Sequence, residues 1–222
     1  MKEFKIATLN VRGLCNHVKR RKLFYWLKEL NYDVVFLQET YCRQSFTSCF
    51  NNSWNGEIIH AVTDSAHSRG VCMLIKAKSN IEVIDSYPSS DGRSLICNIK
   101  IKGIILTLVN IYAPNSECER KSFFTKIESL IDTHALNKNN LILSGDFNCC
   151  LRDIDRNPPT HLMDGSRCIL KNLLLKNNLI DLWHTTKTTK LVLHILINLE
   201  KQRVGWIIFL SPNLFLQTVI VI

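Results

Sequence analysis

The sequence predicts a four-layer α/β sandwich, with two mixed β-sheets, each supplied by one half of the chain, and helices on their outer sides. Three observations carry this. Apolar strand-like runs alternate with helical patterns in the first and last thirds of the chain. Between them lies a block of short strand-like runs joined by tight polar turns. Four of the apolar runs end in amide, carboxylate or phenol side chains.

Phe4 to Leu9 alternates apolar with small or polar residues, as a strand does, and Asn10-Val11-Arg12-Gly13 breaks it. His17 to Leu30 has Phe24, Leu27 and Leu30 at helical spacing, with Lys19, Arg20, Arg21 and Lys22 beside them as a solvated face. Asp33 to Leu37 is a buried strand followed by Gln38-Glu39-Thr40. Residues 41 to 56 lack a period and read as a loop. Strand-like runs follow at Glu57–Val62, Gly70–Lys76, Ile81–Tyr87, Ser94–Lys100 and Ile104–Ile111. Turns such as Ser89-Ser90-Asp91-Gly92 and Lys102-Gly103 favour antiparallel pairing among them. Glu117 to His134 is a helix with Phe123, Phe124, Ile127, Leu130 and Ile131 on one face. Leu141-Ile142-Leu143 is a buried strand, Asp153 to Met163 a loop, and Ser166 to Asn177 a third helix. Trp206 to Leu210 reads as one more strand.

Composition narrows the class. The chain has 222 residues, 46% of them hydrophobic, enough for a substantial core. A formal charge of +9 favours polyanionic partners, of which nucleic acid is the commonest. Nine Cys form no C-x-x-C pair, which argues against a zinc site of ordinary spacing and for reduced core thiols. The N-terminus has no secretory pattern, and no apolar run reaches transmembrane length. The expectation is an intracellular protein, nuclear or cytoplasmic, with no membrane association and no evident obligate protein partner.

The strand ends carry the chemistry. The first ends at Asn10, the second at Glu39, the third at Asn110-Ile111-Tyr112 and the fourth at Asp146 with Asn148. Asp146 and Asn148 stand two apart, which on an extended chain puts them on the same side; an Asx turn is the other reading of that stretch. Oxygen donors without His or Cys suit Mg2+, which takes one or two carboxylates and leaves room for water and phosphate. Glu39 is the first candidate for that carboxylate.

Four stretches resemble the successive motifs of the exonuclease–endonuclease–phosphatase superfamily. They are Thr8 to Leu14, Leu37-Gln38-Glu39-Thr40, Asn110 to Asn115 and Gly145-Asp146-Phe147-Asn148, and their order and spacing match too. Within it the chain most resembles the apurinic/apyrimidinic-type endonuclease domain of non-LTR retrotransposons. Gly70 to Ile75, Asp91-Gly92-Arg93, Asp181-Leu182-Trp183 and Ser211 to Leu214 are similar to that group's intervening segments. The resemblance implies a deoxyribonuclease I-like fold over residues 1–215, with 216–222 an apolar tail. It implies Mg2+ (or Mn2+) held by Glu39, Asn10 and Asp146, and DNA as substrate. It also implies that Asp146 orients and deprotonates the attacking water. Asn148 would hydrogen-bond the scissile phosphate or that water, Tyr112 would donate to the phosphate or stabilise the developing charge, and Arg93 would make a weaker phosphate contact. A reverse transcriptase domain follows in that group and is not within this sequence.

Two features depart from that pattern. Gln202 to Ile207 stands where an Arg-Ile-Asp-aromatic motif is expected, with Gly205 in place of the Asp. The closing Ser-Asp-His is not reached by Ile222, and His184 and His194 stand in other contexts. The pattern is degenerate after about residue 184, and on this reading the final strand is missing and hydrolysis is weak or absent. The alternatives are a nucleic-acid-binding remnant without activity, or a phosphatase of the same superfamily.

Overall fold

The computed structural model describes residues 4–64, 68–152, 164–181, 192–195, 205–209 and 217–221. It has twelve strands and four α-helices among them. In order these are β1 (Phe4–Asn10), α1 (His17–Glu29), β2 (Val34–Gln38), α2 (Thr47–Asn51), β3 (Gly56–Ala61), β4 (Val71–Lys76), β5 (Ile81–Pro88), β6 (Ser94–Ile101), β7 (Ile104–Tyr112), α3 (Glu117–His134), β8 (Leu141–Asp146), α4 (Ser166–Lys176), β9 (Leu179–Asp181), β10 (Val192–Ile195), β11 (Gly205–Phe209) and β12 (Gln217–Val221).

The strands form two six-stranded sheets, ordered β10-β12-β1-β2-β4-β3 and β5-β6-β7-β8-β11-β9. In the first, β1 and β2 are parallel, and β12, β4 and β3 pair antiparallel to their neighbours β1, β2 and β4. In the second, β5, β6 and β7 are antiparallel, while β8 joins β7 in parallel through the crossover helix α3. A parallel pair needs such a crossover, because a tight turn only reverses the chain.

Three apolar layers fix the sandwich. Ile6, Val34, Phe36 and Met73 from the first sheet meet Leu95, Cys97, Leu108 and Ile142 from the second. On the outer side of the first sheet, Ala7, Leu9, Val35 and Leu37 pack with Phe24 and Leu27 of α1. Outside the second, Val109, Ile111 and Leu143 pack with Phe124 and Ile127 of α3 and Leu170 of α4. Strands buried on both faces carry continuous apolar runs instead of alternation. That is why β2 reads Val-Val-Phe-Leu.

Parity along these strands sets up the site. Inward positions on β1 are Phe4 and Ile6, then Thr8, then Asn10; on β7 they are Leu106 and Leu108, then Asn110, then Tyr112. On β8 they are Ile142, then Ser144, then Asp146. The inner layer therefore changes from apolar to polar toward the C-terminal ends of these strands. At the change, Gln38 donates through Nε2 to Thr8 Oγ1 (3.1 Å) and to Asn110 Oδ1 (2.7 Å). Asn110 returns its NH2 to the Leu37 and Cys72 carbonyl oxygens at 3.1 and 2.9 Å. The amides of Gln38 and Asn110 are fully buried and tie the two sheets together.

Three expectations change. Residues 41 to 56 are not a plain loop: they hold α2 and a 3-10 turn at Gln44–Phe46, and Phe50 is buried against Phe24. Phe50 reaches the core from a helix too short to show a period. Gln217–Val221, expected as a tail beyond a missing last strand, is β12 and covers the edge of β1. Its β-branched run suits a strand, and a free edge beside β1 leaves backbone groups for it to pair. The chain halves do not divide cleanly between the sheets either, since β10 and β12 return to the first. The loop at 153–163 and His184 lie outside the described residues.

Candidate active site

The site lies where β1, β2, β7 and β8 end, between the two sheets. Asn10 closes β1, and its Nδ2 donates to Glu39 Oε1 at 2.8 Å and to Asp146 Oδ2 at 2.9 Å. One amide nitrogen thus joins a carboxylate that follows β2 to one that ends β8, across the sheet interface. Glu39 Oε2 accepts from the Tyr41 hydroxyl at 2.8 Å. Asp146 Oδ1 accepts the Asn148 backbone N–H at 3.0 Å. Asn148 Nδ2 donates to the Ala113 carbonyl oxygen at 2.8 Å, which pins the segment after β7 to the segment after β8.

Unusual backbone holds these groups. Glu39 (φ 53°), Tyr41 (φ 55°), Arg12 (φ 46°) and Asn148 (φ 45°) all sit in the left-handed region. Each such residue costs about 1–3 kcal/mol unless its surroundings enforce it, and such residues gather at functional sites. Here the β1 and β2 exits enforce each other: Gly13 N–H donates to the Glu39 carbonyl at 2.7 Å, and Leu14 N–H to Thr40 at 2.9 Å. Thr40 and Tyr41 N–H in turn donate to Gly70 and Arg69. Gly13 makes room for Tyr41, since a Cβ there would stand 2.7 Å from the tyrosine ring. Gly145 is equally constrained, with φ 138° and the Ile111 carbonyl oxygen 2.0 Å from where a Cβ would be.

Tyr112 is the last inward residue of β7, and the Glu39 and Asp146 carboxylates are its charged neighbours. Burial raises its pKa well above the usual phenol value, and the Glu39 and Asp146 charges add to that. The Tyr41 phenol is raised by burial and by Glu39. Both phenols therefore remain protonated donors at neutral pH. The Arg93 guanidinium lies over the Tyr112 ring at 5.2 Å and donates to the Tyr112 carbonyl at 3.2 Å. Burial, then the neighbouring Arg69 guanidinium, lowers its pKa.

Asn10, Glu39, Tyr112, Asp146 and Asn148 are thus brought together, with Arg93 stacked behind Tyr112. Two details differ from expectation. Asn148 does not continue the strand beyond Asp146; it closes an Asx turn on that side chain, so the turn and the site are the same feature. Asn10 turns its NH2 toward both carboxylates while its Oδ1 accepts from Arg12 N–H at 3.1 Å, which makes it a bridge between them. Sequence reasoning missed Tyr41 and Arg69. Tyr41 follows the Glu39 motif by two residues, but only its left-handed backbone turns it back onto Glu39. Arg69 is far from Arg93 in sequence and carries no local signal.

The donor set has the chemistry of a site for a hard divalent cation. Among the described residues, no group of three or more His, Cys, Asp or Glu converges. What converges is a pair of carboxylates beside neutral donors, with no Lys or Arg ion-paired to either carboxylate among the described residues. Two adjacent negative charges without a counter-charge, offering oxygen only, fit an ion such as Mg2+ that keeps most of its waters.

Back-to-back mixed sheets with helices outside, polar at the shared strand ends, are the architecture of the apurinic/apyrimidinic endonucleases. The chain belongs to the endonuclease/exonuclease/phosphatase family, whose pattern matches residues 7–191. An AP endonuclease from Archaeoglobus fulgidus shares the fold at TM-score 0.66 and 18% identity, over 91% of this chain and 83% of that one. The endonuclease domain of TRAS1, a telomere-specific non-LTR retrotransposon, does so at TM-score 0.58 and 13% identity, over 80% and 73%. In sequence, the transposon TX1 uncharacterized 149 kDa protein of Xenopus laevis is 31% identical over 180 residues, 80% of this chain. The chain spans 13% of that protein's length.

Proposed function

We propose that this chain is a divalent-metal-dependent phosphodiester hydrolase, the strand-nicking DNA endonuclease domain of a retrotransposon. The observation that supports it best is Asn10 Nδ2 bridging Glu39 and Asp146 at strand ends drawn from both sheets. The similarity to a transposon protein, and the fold shared with the TRAS1 endonuclease domain, support this branch of the family. The +9 charge suits a polyanionic substrate.

Glu39 is the main residue to hold Mg2+, with Asp146 facing the same space. Bound there, the ion would neutralise charge on the phosphate oxygens. Asp146, fixed by Asn10 and the Asn148 N–H, orients a water and takes its proton as that water attacks phosphorus; the P–O bond opposite the water breaks, and the departing sugar oxygen takes up a proton from solvent. Tyr112 keeps its proton and donates to a phosphate oxygen, stabilising the charge that grows in the transition state. Arg93 holds the Tyr112 ring and presents its own charge to the same phosphate. Asn148 positions the water through its carbonyl oxygen, since its NH2 is committed to Ala113. Turnover is slow, because Gly205 brings no carboxylate to the head of β11, where the family resemblance calls for an Asp. The test is relaxation of supercoiled plasmid under enzyme excess. Mg2+-dependent single-strand nicking that stops with EDTA is expected, and inositol phosphate turnover without nicking would replace this reading with a phosphatase.

Tyr41 gives a finer test. Tyr41→Phe removes a hydrogen bond to a carboxylate, an interaction worth about 1.5–3 kcal/mol. Mg2+ affinity, followed by calorimetric titration, is expected to fall about tenfold. An unchanged affinity would mean that Tyr41 only fills space beside Gly13.

A further inference from the structure

The outer face of α1 has chemistry that the site does not use. The helix carries Lys19, Arg20, Arg21, Lys22 and Lys28 against a single acid, Glu29. Arg20 is buried, its guanidinium donating to the Leu14 carbonyl at 2.8 Å. Lys19 donates to the Val11 and Arg12 carbonyls, so both of these cations maintain the loop after β1. Arg21 and Lys22 are different: they are exposed and make no hydrogen bond or ion pair among the described residues. One turn further along stands Tyr25, its side chain 67% exposed, where an aromatic ring has no packing role.

Two adjoining clefts, which share Val18 and Lys22, run past these residues. A cleft of about 730 Å³ begins at Asn10 and Arg12 of the site and runs to Val18 and Lys22. A second, of about 720 Å³, shares Val18 and Lys22 and continues past Arg21 and Tyr25 to Lys28. From Val18 to Lys28 the helix rises about 15 Å, the length of roughly four stacked nucleotides at 3.4 Å per strand step. Lys28 marks the far end, donating to the Ser53 carbonyl at 3.3 Å with its ammonium near the Trp54 ring.

We propose that this face docks an unpaired stretch of nucleic acid strand continuing from the Asn10–Glu39–Asp146 site, with Arg21 and Lys22 on phosphates and a base stacked on Tyr25. The proposal rests on the nuclease reading above. The charge selects a polyanion, and the exposed ring selects an unstacked base over a paired duplex, whose bases already stack on each other. The face therefore guides a single strand into or out of the site.

Fluorescence anisotropy with the full chain, in EDTA, tests this on a 12-nucleotide labelled oligothymidine and on a duplex of equal length. Tyr25→Ala is expected to weaken the single strand about tenfold while leaving the duplex and the thermal midpoint unchanged. Arg21→Ala with Lys22→Ala is expected to reduce the slope of log K against log salt by about 1.4, or 0.7 per single-strand phosphate contact. A Tyr25→Ala effect below twofold, or an equal loss for the duplex, overturns the proposal. So does displacement of the oligonucleotide by poly-L-glutamate at matched charge, which would assign the face to an acidic polypeptide. A chain that nicks plasmid but ignores the oligonucleotide overturns this face alone; one that neither nicks nor binds overturns both readings.

Discussion

Replacing Asp146 with Asn is expected to slow Mg2+-dependent nicking by roughly 10²–10⁴-fold, the usual contribution of a positioned general base. The substitution keeps the shape of the side chain. Its one amide oxygen can still accept from Asn10 Nδ2 and keep the bridge to Glu39, while its NH2 leaves the Asn148 N–H without an acceptor, a loss on the surface turn that the fold survives. What is lost is the ability to take a proton and half of the negative charge beside Glu39. Single-turnover nicking on labelled plasmid separates this from binding, because DNA affinity should hold or rise as a like charge is removed. A drop smaller than tenfold would move the base elsewhere and leave Asp146 as an anchor for the Asx turn.

The second large effect lies away from the strand ends. Arg120 on α3 and Asp164 before α4 form a buried pair at 2.7 Å, with side chains only 6% and 5% exposed. Arg120 also donates to Ser166 Oγ at 3.1 Å, to the Pro114 carbonyl at 3.2 Å and to the Asn115 carbonyl. Asp164→Ala leaves this guanidinium buried without its counter-charge, which typically costs about 3–5 kcal/mol. Urea unfolding should show that loss, and Arg120→Met combined with Asp164→Ala should restore part of it. A single-variant loss under 1 kcal/mol would sink the argument. Burial works to raise the Asp164 carboxyl, but the Ser166 hydrogen bonds and the Arg120 charge outweigh it and hold the pKa below the usual value. A depressed carboxylate contributes stability that is full above its unfolded pKa, about 3.9, and fades as pH falls through the lower folded value. Acid sensitivity below pH 4 should therefore shrink in the double variant. The pair also reaches the site, because the 113–115 segment it holds carries the carbonyl that fixes Asn148.

Much of this was legible in the sequence because the site is made of strand ends. Asn10, Glu39, Tyr112 and Asp146 each follow an apolar run, and a run that stops in a carboxylate or amide announces itself locally. The βαβ crossover through α3 and the antiparallel pairs β3-β4 and β5-β6-β7 were equally local, but the run divides between the two sheets after β4, which no turn residue announces. The order of strands was not. Nothing in Gln217–Val221 says that it pairs with β1 and not with its sequence neighbours, because backbone pairing is indifferent to which partner supplies the edge. The orientation of single groups was hidden too. Tyr41 reaches Glu39 only through a left-handed turn, and Asn148 departs from the expected extended geometry for the same reason. Phe50 was missed because a helix of five residues completes little more than one turn.

The amide layer formed by Gln38 and Asn110 has a consequence for how the molecule assembles. A one-residue slip of β7 against β6 would turn Asn110 outward into the apolar layer under α3 and bring Val109 or Ile111 to face Gln38. Asn110 would then lose its partners and Gln38 would keep only Thr8, at a cost of several kcal/mol. The two sheets can therefore close on each other only after each has found its own alignment. The same closure brings Glu39 and Asp146 to within reach of Asn10, so a misaligned chain cannot present the site at all.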